Sequence, residues 1–147
     1  PEEFVPKNGM NIAMAMRNAA GPEEIAAIDK RLTVHNGMIR KGGPAKFGTA
    51  EGLSYILMAV MKHDSESRCI MSLSCTREML DVMEEVGMRV VPVELAKDKF
   101  MESTEKAISG CGELPDALVD KAAKKDRIVR LLAKDTTDML SKLEEII

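Results

Sequence analysis

Aromatic residues are scarce in this chain: no Trp, one Tyr and three Phe among 147 residues. So few rings cannot build a base-stacking surface, which argues against single-stranded nucleic acid as a ligand. Positive charge is not in excess either. A formal net charge of −3 argues against the whole domain being a DNA-binding electrostatic surface. Histidine is limited to His35 and His63, and the cysteines Cys69, Cys75 and Cys111 form no CxxC pair. A zinc site is therefore not expected, and no other metal or cofactor is signalled. An odd cysteine count without framework spacing points to reduced thiols and a cytoplasmic protein. No charged-then-apolar leader is visible, and no apolar run is long enough to cross a membrane, so no membrane partner is expected.

What is present is an aliphatic and thioether core. Hydrophobic residues reach 45% and Met alone numbers 12, enough for one domain filled by adaptable side chains. The chain opens Pro1-Glu2-Glu3 without Met. Residues 1–8 read as a linker, and 9–147 as a domain cut from a longer chain. Small apolar residues at 11–16 predict a buried strand. Pro22 with two acids predicts a short helix over 21–29. β-Branched residues flanking Asn36-Gly37 predict a hairpin over 31–41. Thr49 is a candidate N-cap, with Leu53, Ile56, Leu57, Val60 and Met61 at helical spacing after it, and the helix ends near His63-Asp64. A buried strand follows at 69–74. Thr76 caps a second helix through Val86, with Gly87 as its C′ residue. A strand at 88–95, a helix at 100–108, strands at 116–120 and 127–133 joined by a basic segment, and a last helix at 136–146 capped by Asp135 complete the pattern. The alternation predicts an α/β domain with a mixed sheet and helices on its faces.

The stretch GGPAKFGTAEGLSYILMAVM, residues 42–61, raises the functional question. Gly42, Gly43 and Gly48 let the backbone bend and approach a ligand. The amides of Thr49, Ala50 and Glu51 at the helix start form a potential anion site, with Arg40, Lys41 and Lys46 adding charge nearby. No Gly-Lys-Ser/Thr follows, so this is no Walker A loop; a plain turn holding nothing fits the pattern as well. Arg31 and Arg68, each at the start of a predicted strand, suit phosphate recognition, or serve as solvated surface charges. Cys75 stands before a helix start, which could lower its pKa, but lacks a neighbouring base and reads better as packing. His35 and His63 read as surface residues.

The segments GMNIAMA (9–15), KRLTVHNGMIRKGGPAKFG (30–48) and MKHDSESRCIMSLSCTREMLDVMEEVGMRVV (61–91) resemble ThiN, the archaeal-type thiamine-phosphate synthase domain. The resemblance covers most of 9–95 and, more weakly, 115–147. It implies a three-layer α/β/α fold similar to class II aldolase-like domains. Active members of that family join a pyrimidine diphosphate to a thiazole phosphate, expelling pyrophosphate. They use an Arg at the hairpin start, matched by Arg31, and a His in the first turn of the next helix, where this chain has Gly52. Tyr55 replaces a family Arg, Ser72 a family Asn, and AAKKDRIV (122–129) a glycine-rich stretch ending Gly-Lys-Glu-Pro. The segment 96–106 stands where a mixed-charge segment is usual. Glycine transfers no proton, whereas backbone amides do not depend on the side chain at 52. The resemblance therefore implies binding without chemistry: a sensor for a phosphorylated thiamine-pathway compound, attached to a DNA-binding domain upstream of this chain. Such regulators pair because their operators are two-fold, so a homodimer is expected. The alternative is a working thiamine-phosphate synthase. The expected ligand contacts are Asn11, Arg31, Lys46, Gly48, Thr49, Ala50, Arg68 and Ser72.

Overall fold

The computed structural model describes residues 2–121 and 127–147. The chain first lays down strands β1 (Ile12–Ala15) and β2 (Ile25–Ile28), then the hairpin β3 (Leu32–His35) and β4 (Met38–Lys41), then β5 (Ala45–Phe47). Helix and strand alternate after that: α1 (Gly52–His63), β6 (Cys69–Ser74), α2 (Arg77–Glu85), β7 (Val90–Val93), α3 (Phe100–Ser109), β8 (Ala117–Asp120), β9 (Ile128–Ala133) and α4 (Thr136–Ile146). Seven strands form one sheet in the order β5-β2-β1-β6-β9-β8-β7, and β3-β4 stand apart as a two-stranded ribbon. Every pairing is antiparallel except β7 with β8, so the sheet is mixed.

Helices cover both faces of that sheet. On one side Ile56, Leu57 and Val60 of α1 and Ile108 of α3 pack with Ala13, Ile25, Ile70 and Leu132. On the other, Met79 and Met83 of α2 and Met139 and Ile146 of α4 pack with Cys69, Met71, Leu73 and Leu131. The split follows from strand geometry, in which successive side chains point to opposite faces. Both faces of β6 are covered, so its residues 69–73 are all buried and its sequence reads as a continuous apolar run. The second core holds most of the buried methionines, whose flexible thioethers fill the gaps that aromatic rings fill elsewhere. This is the three-layer α/β/α arrangement expected from the sequence.

Local chemistry explains several boundaries. Asn36 and Gly37 both have positive φ, 51° and 73°, as a type I′ turn requires. Thr76 accepts the Met79 amide at the start of α2, and Asp135 accepts the Asp138 amide at the start of α4. Gly87 follows α2 with φ 81°, the left-handed conformation a C′ residue adopts.

Three expectations fail. The helix over 21–29 is one short 3-10 turn, Pro22–Glu24, followed by β2. Pairing on both edges, with β1 and β5, supplies ladder bonds that override the helical propensity of the segment. Thr49 is not an N-cap: α1 begins at Gly52 after Glu51, with no side-chain cap. Its hydroxyl lies 2.8 Å from the Lys46 carbonyl and 3.0 Å from that of Ala27, so it ties β5 to β2 instead. The glycine-rich stretch is no open loop, since Ala45–Phe47 pairs along β2 as the edge strand. Within the expected linker, Phe4 and Val5 pack against the second core. Of the basic segment between β8 and β9 and the family's missing glycine-rich stretch, residues 122–126 lie outside the described residues.

Candidate functional site

A cavity of about 290 Å³ opens where the start of α1 meets the sheet. One wall is the first turn of α1, Ala50 to Leu53, with Ile56 behind it. Arg31, from the turn after β2, stands at the mouth beside Gly9. Asn11, Ser72 and Arg130 form the floor, and Phe100 from the start of α3 closes the far side.

The α1 end has free donors. Leu53 and Ser54 amides bond back to the Ala50 and Glu51 carbonyls. The amides of Glu51 and Gly52 have no acceptor among the described residues, and no side chain caps the turn. Uncapped amides at a helix start carry positive partial charge toward the cavity. Glu51 itself has φ 52° and ψ −130°, a conformation that side-chain-bearing residues rarely adopt and that tends to collect at functional sites. Its carboxylate meets Arg31 Nη2 at 2.7 Å, while Arg31 Nη1 donates to the Asn8 carbonyl at 3.0 Å. Arg31 thus faces the cavity with its charge already countered.

Of the expected contacts, Asn11, Arg31, Ala50 and Ser72 line this cavity; Lys46, Gly48, Thr49 and Arg68 do not. Lys46 belongs to the exposed edge strand and Gly48 follows it, and none of Arg40, Lys41 and Lys46 lines the cavity. Arg68 donates Nη1 to the Ala15 carbonyl at 2.9 Å, clamping β6 to β1. Neither Cys69 nor Cys75 is set up as an activated thiol. Burial, helped by Asp135 and Asp138, pushes the Cys69 thiol up to about 12, and burial raises Cys75 too, against the lowering that a helix start could bring. Among the described residues no group of three His, Cys, Asp or Glu is placed to hold a metal, and no helix is long and apolar enough to cross a membrane.

Two cavity residues escaped the sequence reading. Phe100 lies across Gly52 so closely that a Cβ at position 52 would overlap its ring. The ring also borders a second groove, shared with Tyr55 and residues 97–102, and so stands between the two spaces. Arg130 lies in the middle of a strand whose other residues are apolar. An arginine facing inward from a covered strand is the signal that was available, because such a charge is rarely buried without a partner or a function.

Comparison with known proteins identifies the family and the fold. The family described as thiamine-phosphate synthase ThiN matches residues 1–145. The chain is 19% identical over 147 residues to the thiamine-phosphate synthase ThiN of Methanothermobacter thermautotrophicus, covering 92% of this chain and 77% of that protein. It is 23% identical over 162 residues to the bifunctional thiamine biosynthesis protein ThiDN of Methanocaldococcus jannaschii, covering 97% of this chain but 36% of that longer protein. In fold it is similar to the C-terminal domain of a phosphomethylpyrimidine kinase, with TM-score 0.89 and 18% identity over 100% of this chain and 89% of that one. An aldolase II superfamily protein from Pseudomonas syringae is a more distant likeness, TM-score 0.52 and 13% identity over 97% of this chain and 64% of that one. The chain belongs to the ThiN thiamine-phosphate synthase family.

Proposed function

We propose that this domain binds a phosphorylated thiamine-pathway compound and does no chemistry on it, serving as the sensing part of a transcription regulator. The observation that carries the reading is the Phe100 ring lying over Gly52. Where active relatives place a His, this chain has neither the side chain nor the space for one. General acid–base help is worth ~10²–10⁴ in rate, and its loss leaves a site that holds rather than converts. Binding does not need that residue. The uncapped amides of α1 and the guanidinium groups that line the cavity suit a phosphoryl group. Asn11 and Ser72 hold the floor in shape. DNA contact belongs to a domain outside this chain, and a homodimer follows from the two-fold form of operators.

The competing reading is a working synthase. It needs another proton carrier, and Glu51 is the one carboxylate among the cavity-lining residues. Tyr55 lies in the second groove instead. Glu51 is engaged by Arg31 at 2.7 Å, so its carboxylate is already tied to a partner.

A thermal-shift screen against thiamine phosphate, thiamine diphosphate and the two precursors tests the proposal. A ligand of the folded state at a hundredfold excess over its dissociation constant stabilises by ~2.7 kcal/mol. A clear shift with a thiamine phosphate and no product from the precursors is the expected result. Product formation at an enzyme's rate, lost in Glu51→Gln, would establish the synthase.

A further inference from the structure

Asn11, Ser72 and Arg130 cross the cavity floor in a row, at β1, β6 and β9, three neighbouring positions in the sheet. Ser72 and Arg130 are direct partners across β6 and β9, so their side chains stand side by side on one face. Asn11 and Ser72 are used up inside the protein. Asn11 Oδ1 accepts from the amides of Ile12 at 2.9 Å and Ile28 at 3.0 Å, and its Nδ2 donates to the Ile28 carbonyl at 2.9 Å. Ser72 Oγ accepts from the Asn11 amide at 3.0 Å and donates to the Asn11 carbonyl at 3.4 Å. Their bonds hold β1, β2 and β6 in register. At the mouth, Arg31 is equally occupied by Glu51 and Asn8.

Arg130 differs from all three. Its Nε and Nη1 are shielded from solvent and have no acceptor among the described residues. Burial pulls its pKa below the usual arginine value, with Asp120 pulling the other way. An arginine stays protonated in such a place, so the floor carries a desolvated cation with spare donors. Leaving such donors unmet is unfavourable, and the loss is recovered when an anion arrives to accept them. A packing role alone would be served better by an apolar residue, as the neighbours Val129, Leu131 and Leu132 show.

We infer that Arg130 is the anion anchor of the cavity, taking a phosphate or diphosphate group at the floor, with Arg31 secondary because Glu51 already holds it. The inference rests on the proposed binding function and specifies which end of the ligand goes in first: the phosphoryl end enters, and the organic part lies toward the mouth and Phe100.

Calorimetric titration of inorganic pyrophosphate and of thiamine phosphate into four proteins tests it: wild type, Arg130→Gln, Arg130→Lys and Arg31→Gln. Melting without ligand shows which variants are folded. Arg130→Gln is expected to weaken both anions at least tenfold, Arg130→Lys to retain part of the affinity, and Arg31→Gln to lose less than Arg130→Gln. If Arg130→Gln does not fold, Arg130→Lys carries the test, with a several-fold loss expected because the ammonium keeps the charge but has a different donor geometry. Wild-type affinity in a folded Arg130 variant, or a larger loss in Arg31→Gln, overturns the anchor while leaving the binding function in place. Pyrophosphate binding that depends on Arg130, with no response to thiamine phosphate, supports the anchor and overturns the thiamine reading. A wild type that binds neither anion overturns both.

Discussion

A Cβ placed on Gly52 overlaps the ring of Phe100, and this contact sets what either position can become. Alanine is normally the better helix former by ~1 kcal/mol. Here overpacking outweighs that preference: Gly52→Ala is expected to destabilise by about 1 kcal/mol in urea denaturation. In a Phe100→Ala background the same change becomes neutral or stabilising, so a double-mutant cycle gives a coupling of at least ~0.5 kcal/mol. By the same reasoning Gly52→His alone is not a clean restoration of family chemistry; it needs Phe100 shortened as well. Cys69 supplies a second test at this scale. Its thiol is fully buried and raised from 9.0 to about 12. The folded state therefore holds a proton that the unfolded chain releases above pH 9. The contribution is fully present below pH 9 and is lost as pH rises from 9 toward 12, with a slope of about 1.4 kcal/mol per pH unit for that group. Melting curves between pH 8.5 and 11 are expected to fall less steeply with pH for Cys69→Ala than for wild type. Identical slopes would mean that the thiol is not held neutral.

Elements show where sequence was informative. Thr76 and Asp135 were legible as caps because the bond is local: a side chain reaching an amide three residues on. Thr76→Ala and Asp135→Ala should each cost ~1 kcal/mol, read as a lower denaturation midpoint with unchanged slope. Thr49 has the same local signature but is captured by the Ala27 carbonyl, 22 residues away, and no local pattern reports that. β2 was hidden for a similar reason, since its strand state comes from β1 and β5 rather than from its own residues. β5 was hidden because all three of its residues are exposed, and an edge strand without a covered face shows no alternation. The site divides along the same line. Arg31 and Ser72 could be placed by resemblance to the family, Asn11 lies in a segment that carries the resemblance, and Ala50 came from the amides at the expected helix start. Phe100 and Arg130 reach the cavity only through tertiary packing, from the start of α3 and the middle of β9.

The whole molecule places one cavity where the first turn of α1 meets the floor formed by β1, β6 and β9. Helices pack on both faces of that sheet, so the floor is built on well-packed strands. The charge layout there is a countered arginine at the mouth and a desolvated one at the floor, with no histidine among the lining residues. The proposed reading is that such a site holds a phosphoryl group without exchanging its bonds. The most direct test is a phosphorus NMR spectrum of the protein mixed with hydroxymethylpyrimidine diphosphate and thiazole phosphate, followed over hours. One spectrum reports both binding and turnover. The expected result is that ligand resonances shift or broaden in proportion to added protein while no free pyrophosphate signal grows above the protein-free control. A pyrophosphate resonance that grows at an enzyme's rate would contradict it, and so would ligand signals that the protein leaves unchanged.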